Sequence, residues 1–379
     1  MKKVKYIIGL LSLLLIIPLA SCDLSIILGD SSKLNDDKTD TDENKDDNKE
    51  ETQNDDNINN EDKDIEVDYD MNLYLNDYHN NFGYLALEKD IEHGLLMQQA
   101  YSEYYEASKT LLLSKEDYEV STSVSDGVET KFLSVYETAD IAEEALLPYY
   151  ISAWSVFVSD NPIFYFLSNG YLARTKVSTK TTTNVNGETT ETKTTTYTFI
   201  LVGFEEYTKF SKRDEINKKI YNLFEETKGI NELSDDYTKA SQINDYLIQK
   251  LEYAYKDDGR TPEDSFWAHN IIGLLLKNKG VCECYTKCFR LMATYYGLNA
   301  ISVYGKTKTS NESHAWNYLK LGDNWYGVDV TWNDSTHTSK YFLCSNSVMS
   351  EDHNPYATIY GINYQPEVPA LCETGYVVE

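Results

Sequence analysis

The spacing of hydrophobic and polar positions changes several times along the chain, and each change marks an element. Over residues 88–113, apolar side chains at Ile91, Leu95, Leu96, Ala100, Tyr104 and Ala107 recur at helical intervals. Residues 139–158 repeat that pattern, and Asp160-Asn161-Pro162 stops it, because the residue before a proline is pushed out of the α region. Residues 71–168 are therefore expected to be mainly helical, ending on a strand-like piece at 163–167. Residues 171–183 and 188–204 are rich in Thr, Val, Tyr and Ile and flank Asn186-Gly187, a dipeptide suited to a type I′ turn. A long two-stranded ribbon is predicted, its Thr/Lys tip too polar to be buried on either face. That tip reads as an exposed hairpin or as a flap over substrate. Helical patterns return at 213–227, 235–255 and 265–278. Short β-type runs follow at 300–304, 315–321, 325–330 and 341–344. Helices followed by an antiparallel meander indicate an α+β domain.

The first 70 residues are of a different kind. Lys2, Lys3 and Lys5 precede an apolar run over 7–20, too short for a membrane span of about 20 residues and organised like a secretory signal. It ends Leu19-Ala20-Ser21-Cys22, which resembles the lipobox of bacterial lipoproteins. The resemblance implies cleavage, lipidation of Cys22, and an extracytoplasmic protein anchored to the cell membrane. Residues 23–70 hold 19 acidic and 5 basic side chains and a single aromatic, Tyr69. Such a stretch buries too little apolar surface to offset its chain entropy, so a flexible acidic stalk is expected. Asp40, Asp42, Asn44, Asp46 and Glu51 mimic a calcium loop, but Lys45 stands where the sharp turn requires glycine. The expected layout is a signal at 1–21, lipidated cysteine and stalk at 22–70, a helical and hairpin region at 71–212, and a second domain at 213–379.

With 34 basic and 62 acidic side chains the chain carries a formal charge of −28, which disfavours nucleic acid as a partner. The folded part, with 26 basic against 43 acidic residues, is acidic as well.

Candidate chemistry concentrates after residue 279. A helix beginning near Cys282 would place Cys282, Tyr285, Thr286, Phe289, Met292, Ala293 and Tyr296 on one broad face. Gly280 just before it permits close backbone approach. Cys282 falls in the first turn, where unpaired amides and the helix dipole favour a thiolate. Cys284 points about 200° away. A thiolate that attacks a carbonyl also needs a proton carrier and a group to orient it. His314-Ala315-Trp316-Asn317 and Asp329-Val330-Thr331-Trp332 supply both. If the two segments are strands joined at Gly322-Asp323-Asn324, His314 and Asp329 lie nearly opposite one another on one face.

These motifs, in this order, resemble the transglutaminase-like superfamily over roughly residues 225–355. Gly280 and Cys282 match its Gly-x-Cys signature, and 314–317 and 329–332 match its histidine and acid motifs. Cys284 and Thr286 stand where that family more often has small residues. The resemblance implies an α+β papain-like core with a helical half packed on an antiparallel sheet. It also implies a catalytic Cys282, His314 and Asp329, and a thioester intermediate. Trp316, Asn317 and Trp332 are expected to support the triad or line a substrate groove, and Trp325 to pack nearby. Hydrolysis of peptides, in protein or cell wall, is the expected reaction. Transfer to an amine, or non-catalytic binding of peptide or glycan, are the alternatives. Neither chemical route calls for a metal cofactor. A structural zinc on Cys282, Cys284, Cys288 and His314 is disfavoured because the cysteines splay around a helix. His269 and Asn270 read as oxyanion donors or as local packing. His79, His93, His337 and His353 have no partner pattern and read as solvated or structural. Cys344 and Cys372 read as a possible disulfide or as small buried hydrophobes.

Overall fold

The computed structural model describes residues 68–377 except 91, 126, 140, 184, 185, 187, 362 and 363. It also describes the backbone of Tyr6–Gly9 and Leu15–Pro18, which runs antiparallel to the first ribbon strand. Cys22, the acidic stalk up to residue 67 and the calcium-loop mimic lie outside the described residues, whereas Tyr69, at the stalk's end, donates to Asp214 (2.5 Å) and belongs to the folded part.

The N-terminal region begins with α1 (Phe82–Leu87) and α2 (Gly94–Leu113). In α2, Met97, Ala100, Tyr101, Tyr104, Tyr105, Ser108, Leu111 and Leu112 are buried at intervals of three and four. The stretch read as mainly helical departs from that reading at β1 (Ser121–Ser125) and β2 (Val128–Glu137), a hairpin turned at Gly127 with φ +80°. Its Ser/Thr-rich first strand is too short for period-2 alternation to stand out. Pro148 opens α3 (Leu147–Asp160), which is buried on nearly all sides. Residues 163–166 form buried turns, with Phe164 N–H and Leu167 N–H closing onto the Asn161 and Phe164 carbonyls, and the strand begins only at Leu167. The ribbon forms as β3 (Leu167–Thr183) and β4 (Thr189–Gly203), with Thr183 opposite Thr189, and the sheet order is β3-β4-β2-β1. Its far end is largely exposed, whereas Tyr171, Leu172 and Phe199–Leu201 are buried at its base.

Two helices, α4 (Phe210–Glu226) and α5 (Asp236–Lys250), lead into the C-terminal half. The helix expected over 265–278 is instead a 3-10 turn at Phe266–His269 and a π turn at Gly273–Lys277, ended by Asn278 at φ 51°. The chain doubles back there so closely that a Cβ on Gly273 would lie 2.3 Å from the Lys279 carbonyl oxygen. Then comes α6 (Cys282–Tyr295), every residue of which is buried from Cys282 to Ala293.

A five-stranded antiparallel sheet packs against α6. It comprises β5 (Asn299–Thr307), β6 (Ser313–Leu321), β7 (Asn324–Val328), β8 (Phe342–Cys344) and β9 (His353–Pro355), in the order β8-β7-β6-β5-β9. Short helices α7 (Val330–Thr336) and α8 (Asn346–Asp352) connect β7 to β8 and β8 to β9. Ala300 and Leu319 join the main core with Leu291 and Met292 of α6. Ile301, Val303, Trp316 and Tyr318 form a second cluster with Tyr341, Met349 and Leu371. The main cluster runs from Met71 to Tyr364 and so includes both halves of the chain. The protein has the α+β architecture expected, a helical half on an antiparallel sheet.

Candidate active site

Gly280 and Val281 set the entry to α6. Val281 N–H donates to the Ala268 carbonyl (2.9 Å), Ala254 N–H donates to the Gly280 carbonyl (3.0 Å), and Val281 is the extended N-cap residue. Cys282 is therefore the first helical residue, 3% exposed, at the positive end of the helix dipole. No side chain caps this end. The thiol is within electrostatic range of Tyr304 on β5, whose hydroxyl is pushed up by burial, by Glu283 and by Cys282. Tyr304 pairs with Ala315, next to His314 on β6. Asn317 ties the same strand to α6, its Nδ2 donating to the Thr286 carbonyl and the Ile301 carbonyl (both 3.2 Å). It is a strut between helix and sheet.

His314 and Asp329 come together: His314 Nε2 lies 2.7 Å from Asp329 Oδ2, with both residues buried. The register differs slightly from the one expected, with Asn317 opposite Val328 and Leu321 opposite Asn324. Asp329 lies just past β7 as the N-cap of α7, where Oδ1 accepts the Trp332 N–H (3.0 Å). One carboxylate thus starts a helix and holds an imidazole. Burial opposes its ionisation, but His314, by its charge and hydrogen bond, and the hydrogen bond from His353 outweigh that and hold it well below the usual carboxylate range. Because Nε2 of His314 faces the carboxylate, Nδ1 is the nitrogen left for proton exchange with a nucleophile.

The flanking aromatics divide. Trp316 and Trp332 stack on the His314 ring with centroids 5.9 and 5.0 Å away. Trp325 packs in the same second cluster as Trp316 and Trp332 but does not stack on His314; it meets Phe82 edge-on at 5.7 Å. Asn270 donates to the Tyr165 carbonyl (3.1 Å) and accepts Ile272 N–H, a packing role. His269 Nδ1 lies 3.1 Å from Glu283 Oε2. Cys344 and Cys372 are both free. Cys344 donates to the Gly327 carbonyl and is pushed up to about 12 by burial, while Cys372 lies 3.6 Å from the Thr374 hydroxyl. His79, His93 and His337 stay outside the site: His79 is exposed beside Asp77, His93 stacks on Tyr149, and His337 ends α7 at φ 52°.

His353 is the residue that sequence reading missed. It is 3% exposed, and its Nε2 lies 3.0 Å from the same Asp329 Oδ2. No motif flags it, since its partner is 24 residues away and a short edge strand brings it there. The ligand-type atoms of His314, Asp329 and His353 lie within 4.8 Å of one another. Hydrogen bonding accounts for that proximity, because both Nε2 atoms face one carboxylate oxygen.

A cavity opens beside Glu283, the residue after Cys282. It lies between the α1–α3 region and β5, with Val156, Asp160, Ser302, Tyr304 and Val368 among its walls. Charged residues on its floor are paired: Asp160 with Arg290 (3.0 Å), and Glu283 with Lys287 (2.8 Å) and His269.

Residues 226–330, the span containing Cys282, His314 and Asp329, match the transglutaminase-like superfamily. The chain carries a transglutaminase-like domain. A stretch of 147 residues is 26% identical to kyphoscoliosis peptidase of Mus musculus, covering 33% of this chain and 22% of that protein, so the chain spans about a fifth of that relative. Among solved structures, a protein described as a TGase aligns at 16% identity over 40% of this chain and 43% of its own, with a TM-score of 0.26. A candidate cysteine protease from Cytophaga hutchinsonii aligns at 14% identity over 42% of this chain and 64% of its own, with a TM-score of 0.24. His353 and the cavity walls on α1 and α3 lie outside the matched span.

Proposed function

We propose that the transglutaminase-like domain is a cysteine peptidase, held at the outer face of the membrane by lipidated Cys22 and its acidic stalk. The observation that carries the reading is the buried His314–Asp329 hydrogen bond on the sheet that packs against α6, the helix that Cys282 begins. In the proposed cycle, Cys282 passes its proton to Nδ1 of His314, and the helix dipole stabilises the thiolate. Attack on a peptide carbonyl forms the C–S bond, and His314 returns the proton to the departing amine. Water activated by the neutral imidazole then cleaves the thioester. Asp329 keeps His314 in the right tautomer and balances the imidazolium. The cavity beside Glu283, with Val156, Tyr304 and Val368 among its walls, is the proposed seat of an apolar substrate side chain.

The test combines labelling and product analysis. Iodoacetamide should modify Cys282 ahead of Cys284, Cys288, Cys344 and Cys372, and His314→Ala should abolish that selectivity. Cys282→Ala should lower peptide cleavage by about 10⁶-fold. Equal reactivity of all the thiols would refute the catalytic reading. Release of ammonia with incorporation of an added primary amine, without peptide cleavage, would replace hydrolysis by transamidation.

A further inference from the structure

We propose that His353 is a positioning residue of this site, donating its Nε2–H to the Asp329 oxygen that also holds His314. The inference rests on the catalytic reading given above and extends it beyond the three family motifs.

Asp329 is 0% exposed, so water does not solvate its charge. A buried carboxylate requires its lone pairs to be met by donors. Oδ1 accepts the Trp332 amide at 3.0 Å, and Oδ2 accepts from His314 at 2.7 Å and from His353 at 3.0 Å. Two side-chain donors on one oxygen fix the rotation of the carboxylate about its Cβ–Cγ bond more firmly than His314 alone. The direction from which His314 is held is fixed with it.

The surroundings of His353 set its own protonation. Its Nδ1 is buried and has no hydrogen-bond partner. An imidazolium would bury an unsatisfied N–H there, whereas the neutral ring with its proton on Nε2 leaves only a bare lone pair. This tautomer is assigned from the hydrogen bonding. The ring is held by Trp332, Trp316 and Tyr341, with centroids 4.4, 4.7 and 5.5 Å away. Two of these also flank His314 or stack on it, so both imidazoles share one aromatic box. The backbone supports the same arrangement: His353 pairs with Thr307 on β5, and Gly305 of that strand pairs with His314 on β6. A Cβ at Gly305 would lie 2.3 Å from the Asn354 carbonyl oxygen and 2.6 Å from the Trp316 ring, so glycine allows β9 to close on the site.

His353→Phe keeps a ring and removes the donor, whereas His353→Gln keeps an amide N–H at a similar reach. Expected for His353→Phe is a fall in kcat of about 10- to 100-fold with KM changed less than about twofold. His353→Gln should recover most of that loss. Proton NMR should show the His353 imidazole N–H in the wild type, and the His314 N–H should move in His353→Phe. Equal losses in the two variants, or full activity in His353→Phe, would overturn the proposal in favour of simple packing. If the wild type shows no Cys282-dependent turnover, the catalytic reading fails by itself, and the NMR arm still decides: an unmoved His314 resonance overturns the role of His353. Should His353→Phe not fold, His353→Asn, a polar side chain with shorter reach, takes its place in both measurements.

Discussion

A Cβ on Gly280 would lie 2.4 Å from the Cys284 Cβ and 2.5 Å from its sulfur. The requirement at position 280 is therefore set by the residue four places on, and the departure at Cys284 is explained: with glycine at 280 there is room for a sulfur at 284. Gly280→Ala should destabilise the protein by about 1–3 kcal/mol through overpacking, read as a lower urea midpoint. Adding Cys284→Gly should restore much of that stability, since it removes the atoms that the new methyl meets. An unchanged double-mutant midpoint would mean that the backbone around Val281, and not the Cys284 side chain, sets the constraint. Cys282 faces the electrostatics of Tyr304, while Cys284 and Cys288 lie 3.9 Å apart in apolar surroundings, and burial raises the Cys288 thiol well above its ordinary range. Burial alone does not single out a nucleophile in α6, because all three sulfurs are buried.

At the scale of elements, α6 is a central helix that carries Glu283, Lys287 and Arg290 into the interior. Lys287 Nζ lies 2.8 Å from Glu283 Oε1 and also donates to the His269 carbonyl. Arg290 reaches Asp160 at the end of α3 and the Ala300 carbonyl on β5. These pairs fasten α6 to both the N-terminal region and the sheet. Removing one partner leaves a buried charge uncompensated, so Glu283→Gln should cost about 3–5 kcal/mol in chemical denaturation. A loss below about 1 kcal/mol would show that Lys287 escapes to solvent when its partner is gone. The connection from α6 to α7 is of the same kind, with Tyr285 donating to Asp334 (2.6 Å) and Asn333 bridging to Asn244 of α5 (3.2 Å). The acid-bearing loop is thereby held against two helices.

For the whole molecule, the buried carboxylates predict acid behaviour. Burial opposes the charge on Glu283 and Asp329, but their cationic and hydrogen-bonding partners hold both below their ordinary values of 4.5 and 3.8. A depressed folded-state value contributes stability above the ordinary value and loses it as pH falls toward the folded one. Asp160 acts the other way, because burial raises it despite Arg290. Two of these three buried carboxylates are lowered, and more exposed ones such as Asp214, Glu226 and Asp352 are lowered too, so stability falls from about pH 4.5 toward pH 2. Urea midpoints measured across that range should drop, and the slope should be shallower in Glu283→Gln by up to about one proton. A flat profile would contradict the buried pairing of both residues.

What the sequence determined was local. Helical spacing marked α2 to α6, Asn186-Gly187 marked the ribbon, and the order Gly280–Cys282, His314 and Asp329 marked the family, because short-range periodicity and motif spacing are properties of neighbouring residues. Tertiary structure decided what depends on distant contacts. Burial on all sides erased the single face expected of α6, the doubled-back chain broke the 265–278 helix into turns, and Asp329 became a helix cap. The N-terminal helices form one wall of the cavity beside Glu283. A three-residue edge strand carried His353, unremarkable in sequence, onto a carboxylate that already held His314. No local pattern encodes that meeting, since the energy that enforces it comes from packing the whole sheet around one buried charge.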